Sequence, residues 1–286
     1  LDDPEVSDFA YDALFAELIR LETCHPELVD PSSPTRRVGD EPLAGLGQVE
    51  HEIPMLSLDN TYSVEELEAW HERVRRELGG PPSGLAAELK IDGVSIALHY
   101  QDGRLERAVT RGNGLVGDDV TAAARTIRSL PLAVDLPAGR LEVRGEVYMP
   151  RSVFERLNRE RRAAGEPELA NPRNATAGSI RLLDPRQVAA RGLAVWCYAV
   201  VRADGRRLES HVTDLEWLGS HGFPMSPALV RCDDLKAVET YIARWATEQS
   251  LREASLDLER SLGKIDLVDS GGFRRLEESG DNAFVA

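Results

Sequence analysis

Between Leu85 and Tyr100 the chain shows the two-residue apolar period of β-strands, and this stretch limits the folds open to it. Leu85, Ala87 and Leu89 alternate with Ala86, Glu88 and Lys90, which gives one apolar face and one face carrying Glu88 and Lys90. Val94, Ile96 and Leu98 alternate in turn. Asp92-Gly93 lies between the two runs. Asp-Gly is a strong turn signal, because glycine tolerates positive φ and aspartate can bond its own backbone. The pattern predicts a β-hairpin that holds Lys90 on a stiff element beside Glu88 and Asp92.

Lys90, Lys236 and Lys264 are the only lysines, and arginine supplies nearly all the positive charge. Arginine stays protonated. Lysine can lose its proton when desolvated or crowded by cations, and then acts as a nucleophile. Taken alone, these residues leave a solvent-facing lysine equally open.

The stretch Glu88-Leu89-Lys90-Ile91-Asp92-Gly93 resembles the nucleotidyltransferase motif of DNA ligases and capping enzymes. Met55-Leu56-Ser57-Leu58-Asp59-Asn60, Thr110-Arg111-Gly112-Asn113-Gly114, Val143-Arg144-Gly145-Glu146-Val147 and Asn171-Pro172-Arg173-Asn174-Ala175, continuing to Gly178-Ser179 and Arg181, follow in order with family-like spacing. Together they resemble the NAD-dependent DNA ligases of bacteria. The resemblance implies an α+β fold: a nucleotidyltransferase (ATP-grasp-like) domain of antiparallel sheets flanked by helices, preceded by a short helical N-terminal segment. It divides the chain into residues 1–45, the remnant of a helical module that captures the nicotinamide mononucleotide half of NAD, and residues 46–286, an adenylation domain incomplete at its C-terminus. It implies that Lys90 attacks the α-phosphate of NAD and releases nicotinamide mononucleotide, as a step in sealing nicks. The implied cofactors are NAD and Mg²⁺, the latter held by carboxylates and phosphate oxygens without dedicated ligand spacing. The implied partner is nicked duplex DNA, with no membrane, and the protein is expected to be a monomer.

Site roles carry over residue by residue. Lys90 matches the nucleophile and Asp92 the residue that orients the site or the ribose. Gly93 lets the backbone approach closely, and Glu88 matches an acceptor for the adenine amino group. Arg111 matches a contact to the ribose or the nick, although its residues alone read as a surface arginine in a Gly-rich turn. Glu146 matches a ribose or metal ligand; without the resemblance, a salt bridge to Arg144 explains it. Tyr198 matches the aromatic that stacks on adenine, or else a core aromatic. Arg173 and Arg181 match arginines for nucleotide phosphates or DNA, in a loop folded tightly by Asn171-Pro172 and Asn174. Ser57, Leu58 and Lys264 complete the implied cofactor contacts in this domain. Asp8, Tyr11 and Asp12 match the mononucleotide-gripping module, on a helix from Ser7 or Asp8 to about Thr23 with Phe9, Ala13, Leu14, Leu18 and Leu21 as a buried stripe. The family usually has Asp where Asn113 stands, which removes a negative charge from the site. Around Lys264, Glu259-Arg260 or Leu262 and Leu267 replace the expected motif residues. A ligase-like paralogue that binds nucleotide or a partner without catalysis is the alternative, and an ATP-using relative a third.

Composition narrows the classes further. The 286 residues carry a net charge of −15, which argues against a generally basic nucleic-acid binder but leaves room for a local arginine-lined groove. The longest apolar run, Leu193 to Val201, is about half of what a membrane helix needs. No N-terminal signal pattern is visible, so a cytoplasmic protein is expected. The start at Leu1 suggests a fragment. Cys24, Cys197 and Cys232 form no disulfide framework and no zinc pair; zinc is expected only in a domain outside this chain. Ser63-Val64-Glu65-Glu66 reads as a capping box for a helix presenting Leu67, Trp70, Val74 and Leu78. Further helices are expected over Val120–Ile127, over Val153–Ala164 and over Asp233–Thr247. The arginines at 151, 156, 159, 161 and 162 form a solvated helix face or a DNA contact. Strands are expected before and after Gln101-Asp102-Gly103, over Leu141–Tyr148, and over Leu193–Val201 as a buried strand.

Overall fold

The computed structural model describes residues 8–30, 33–36, 45–56, 63–136, 138–245, 265–269 and 284–285, with residues 8–13, 15, 16, 36, 265–269, 284 and 285 described through the backbone alone. Its elements are mixed α and β, and every strand pairing within its sheets is antiparallel.

Two four-stranded sheets frame the molecule. One runs in the order β4 (Arg104–Thr110), β3 (Val94–Gln101), β6 (Arg140–Tyr148), β7 (Ala194–Ala203). The other runs β10 (Phe284–Val285), β9 (Ile265–Asp269), β2 (Leu85–Leu89), β8 (Val230–Cys232). A two-stranded ribbon joins β1 (Gln48–Glu50) to β5 (Val116–Asp118).

The expected hairpin at Asp92-Gly93 does not form. β2 pairs with β8 and β9, whereas β3 pairs with β4 and β6. Residues 90–93 carry the chain from one sheet to the other. Gly93 is not in the left-handed region; its glycine is needed for a different reason. A Cβ there would lie 2.1 Å from the Val147 carbonyl oxygen and 3.1 Å from Cγ of Glu146. The crossover passes directly against β6, and no side chain fits. Asp102-Gly103, by contrast, is the tight turn expected between β3 and β4: both residues have positive φ, and Gln101 pairs with Arg104.

Alternation sorts the first sheet into two faces. Ile96, Leu98, Val143, Val147, Val195 and Cys197 are buried and join a core with Ile127, Leu157, Ile180, Val188, Leu215 and Leu218 from the flanking segments. The other face carries Ser95, His99, Glu142, Arg144 and Glu146, paired across β3 and β6 in that register. In the second sheet, Leu85, Ala87 and Leu89 pack with Leu67, Trp70 and Val74 of α2 (Val64–Glu77) and with Val238, Tyr241 and Trp245 of α8 (Leu235–Trp245). Ser63 caps α2 as expected, its side chain accepting from the Glu66 N–H.

Several local expectations are corrected. The helix expected over Val120–Ile127 shrinks to α3 (Thr121–Ala124) and ends in turns. Thr126 Oγ1 bonds back to the Ala123 carbonyl, a competing partner that ends rather than extends a helix. The stretch after Asn171 is α5 (Pro172–Ile180), not a loop. Asn171 caps it by accepting from Asn174 N–H at 2.7 Å, with Pro172 at the first helical position. α1 (Asp8–Cys24) forms over the expected residues, but Leu14 and Leu21 are exposed, so the buried stripe is not seen among its described side chains. β7 is a one-sided strand, with Val195 and Cys197 buried while Trp196 and Tyr198 are only partly covered. On α4 (Arg151–Ala163), Arg151 and Arg156 pair with Glu155 and Glu160, and Arg161 and Arg162 with Glu166 and Glu168 just beyond it. α6 (Pro185–Ala190) and α7 (His211–Ser220) complete the helices named here.

Candidate functional site

The crossover at residues 90–93 brings its own groups to the polar face of the β3–β6 pair. Glu146 is the centre. Its Oε1 accepts the Gly93 N–H at 3.1 Å and its Oε2 accepts the Ser95 hydroxyl at 2.6 Å. Burial pushes the Glu146 carboxyl above the ordinary glutamate range. The Ser95 hydroxyl, the Lys90 ammonium, the Gly93 N–H and the Arg173 guanidinium all pull the other way. A buried carboxylate is costly unless it is paired and hydrogen-bonded, and these four groups offset that cost; perturbed carboxyls beside cations also cluster at functional sites.

Arg173 stands in the first turn of α5, and its Nε is 3.3 Å from Asp92 Oδ1. The pair is well exposed, and a helix N-terminus is an unfavourable place for a cation. Lys90, Asp92, Gly93, Glu146 and Arg173 therefore come together from the crossover, β6 and α5. The proposed salt bridge between Glu146 and Arg144 is not made. Arg144 pairs instead with Glu142 at 2.6 Å and donates to the carbonyls of Ile53 at 2.7 Å and Pro54 at 3.3 Å. The same face holds His99, whose imidazole burial pushes below the ordinary histidine range.

Glu88 is buried on β2, away from solvent, and its Oε1 accepts from His211 Nε2 at 3.3 Å. Arg111 follows β4, anchored through its N–H to the Ser95 carbonyl, with the side chain exposed. Tyr198 lies on the Trp196 side of β7, and Trp196 is paired with Glu146 across the sheet. Arg181, at the end of α5, is held by Asp118 at 2.8 Å and is not drawn to Lys90. Asn113 is turned into its own loop: its Oδ1 accepts the N–H groups of Leu115 and Val116. The lost charge expected there is thus a turn contact. Asp8, Tyr11 and Asp12 fall on α1, with side chains outside the described set; Ser57, Leu58 and Lys264 lie outside the described residues.

Sequence reasoning missed Ser95, His51, His211 and the Glu142–Arg144 pair. Ser95 had a signal, since it stands two residues past Gly93 on the polar face of β3. His51 holds the Thr110 and Arg111 carbonyls through Nε2 at 3.1 and 3.3 Å, 59 and 60 residues away. His211 meets Glu88 across 123 residues. Neither contact has a local signature.

The donor set suits a nucleotide: cations for phosphate, carboxylates for hydroxyl and amino groups. Among the described residues no group of three His, Cys, Asp or Glu could hold a metal ion, and no helix is long and apolar enough to cross a membrane.

The family profile of the NAD-dependent DNA ligase adenylation domain matches residues 43–261. The profile of the DNA ligase-like, N-terminal NAD⁺-binding domain matches residues 1–39. The DNA ligase of Gloeobacter violaceus is 47% identical over 94% of this chain and 40% of its own length. Those of Rubrobacter xylanophilus and Methylacidiphilum infernorum are 48% identical over 94% of this chain and 39% of theirs, and 49% identical over 84% of this chain and 35% of theirs. The chain thus spans about 40% or less of the length of these relatives.

Proposed function

This chain belongs to the NAD-dependent DNA ligase adenylation-domain family, and on that premise we propose that Lys90 is the adenylated nucleophile in a protein that seals nicks in duplex DNA. The observation that carries the proposal is the gathering of Lys90, Arg173, Asp92 and Ser95 around the buried Glu146 carboxylate.

The neutral amine of Lys90 forms a bond to the α-phosphorus of NAD as the pyrophosphate bond breaks and nicotinamide mononucleotide leaves. The proton shed by the amine passes to solvent or to a neighbouring carboxylate. Arg173 offsets phosphate charge, a contribution that typically changes rate by orders of magnitude in a desolvated site. Asp92 holds Arg173, Glu146 receives ribose hydroxyls, and Glu88 receives the base. Tyr198 stacks on that base, and Arg111 and Arg181 face phosphates of the nucleotide or nick. Ser57, Leu58 and Lys264 add cofactor contacts. Asp8, Tyr11 and Asp12, within residues 1–45, grip the mononucleotide half, and residues from 46 onward form the adenylation domain. Mg²⁺ would come with the phosphates, which supply most of its oxygen ligands, and would screen their charge. We place the protein in the cytoplasm as a monomer.

The test is the intact mass of the purified protein before and after incubation with NAD and Mg²⁺, with Lys90→Ala alongside. An added adenylate that is absent in the variant is the expected result. An adduct that persists in Lys90→Ala would overturn the assignment, and transfer from ATP rather than NAD would overturn the cofactor.

A further inference from the structure

β2 carries a second buried carboxylate, and its geometry is lopsided. The Glu88 side chain is 6% exposed and that of His211 is 5% exposed. Oε1 of Glu88 is taken by His211 Nε2. Among the described residues no hydrogen bond engages Oε2 of Glu88.

A carboxylate is an acceptor only, so His211 must donate Nε2–H to it. This fixes the rotation of the carboxylate and leaves its second oxygen as an acceptor. The histidine is itself held firmly. It is the first residue of α7, capped by Ser210, which accepts from the Thr213 N–H at 3.2 Å. Asp214 ties down the segment just ahead, accepting from the Glu209 N–H at 3.1 Å and from Arg206 Nη2 at 2.7 Å.

We propose that His211 is a positioning residue that orients Glu88 so that its second oxygen selects a purine bearing a 6-amino group over one bearing a 6-oxo group. A 6-amino group donates to that oxygen. A 6-oxo group brings acceptor against acceptor and leaves both buried groups unpaired, the kind of mismatch that discriminates strongly. The proposal rests on the placement of the nucleotide base at Glu88.

The experiment measures formation of the Lys90 adduct by intact mass across concentrations of NAD and of nicotinamide hypoxanthine dinucleotide. The expected preference of the unmodified protein for NAD in kcat/KM is on the order of a hundredfold. His211→Leu should raise KM for NAD about tenfold, with little change in kcat, and cut the preference about tenfold. His211→Gln, whose amide N–H can reach the same oxygen, should keep the preference. Loss of turnover on both dinucleotides with an unchanged preference in His211→Leu would overturn the proposal. Should that variant fail to fold, His211→Asn, too short to reach Glu88, replaces it with the same expected loss, and an intact preference there overturns the proposal equally. Glu88→Gln separates this from the underlying placement, because it turns the second acceptor into a possible donor. A preference unmoved by Glu88→Gln means that the base is not at Glu88. A preference moved by Glu88→Gln but untouched by either disruptive His211 variant sinks the role of His211 alone.

Discussion

Glu146 and Gly93 stand 53 residues apart, and the carboxylate of one accepts the backbone N–H of the other at 3.1 Å. The bond is possible only because the crossover lies flat against β6, with no room for a Cβ at Gly93. Gly93→Ala should therefore fail in a specific way. The methyl would meet a backbone carbonyl, which cannot swing aside, so either β6 or the crossover must shift. A loss of about 2 kcal/mol or more in urea denaturation is expected, together with at least a hundredfold loss of adduct formation. An unchanged denaturation midpoint would contradict the packing described.

Glu146 gives a pH signature. Its folded-state pKa is raised above the ordinary value, so between the two the native state binds more protons than the unfolded chain. Stability from this group falls as pH climbs through that window, and the penalty is fully present above the folded pKa. Glu146→Gln carries no such penalty. Its melting temperature relative to the unmodified protein should rise from pH 4 to pH 8, while its adduct formation drops. A constant difference across the series would show that burial does not dominate this carboxyl.

The Arg173–Asp92 pair is too exposed to matter for folding. Pairs of this kind contribute about 0–1 kcal/mol. Arg173→Ala should leave the thermal midpoint within a few degrees while slowing adduct formation by about tenfold to a hundredfold. Equal losses in stability and rate would make Arg173 a structural residue.

Arg144 behaves in the opposite manner. Both it and Glu142 are buried, and removing one partner leaves the other charge stranded. Arg144→Ala should cost about 3–5 kcal/mol in urea denaturation. Glu142→Gln combined with Arg144→Met should recover much of this. The carbonyls of Ile53 and Pro54 lose their donor in both variants, so adduct formation should stay impaired even where stability returns.

Two of the three Asp-Gly dipeptides in the sequence show where local reading stops. Asp102-Gly103 behaved as its chemistry suggests, because the strands on either side are partners. Asp92-Gly93 carries the same signal, but strand pairing is decided by contacts distant in sequence: β2 takes β8 and β9, and β3 takes β6. The alternation of Val94, Ile96 and Leu98 located the strand, the capping box located α2, and the Lys90 motif marked a residue that the fold brings to the buried Glu146. Asn171-Pro172 was a helix start hidden by the expectation of a loop, although cap and proline in sequence are its usual signature. The Glu88–His211 contact could not be read at all, since nothing near either residue specifies the other.

Residues 90–93 also set the tolerance of this region to insertions and deletions. Leu89 is locked in a ladder with Ile265, and Val94 in a ladder with Val147 of a different sheet. Ile91, between them, is plugged into the core formed with α2 and α8. The segment thus has no slack at either end and an anchor in the middle. One residue more or fewer would rotate Lys90 away from Glu146 while leaving both sheets free to form. Across descendants of this chain, length variation should accumulate in turns such as Gly79–Pro82 and leave the spacing from Glu88 to Gly93 untouched, whatever happens to the side chains around it.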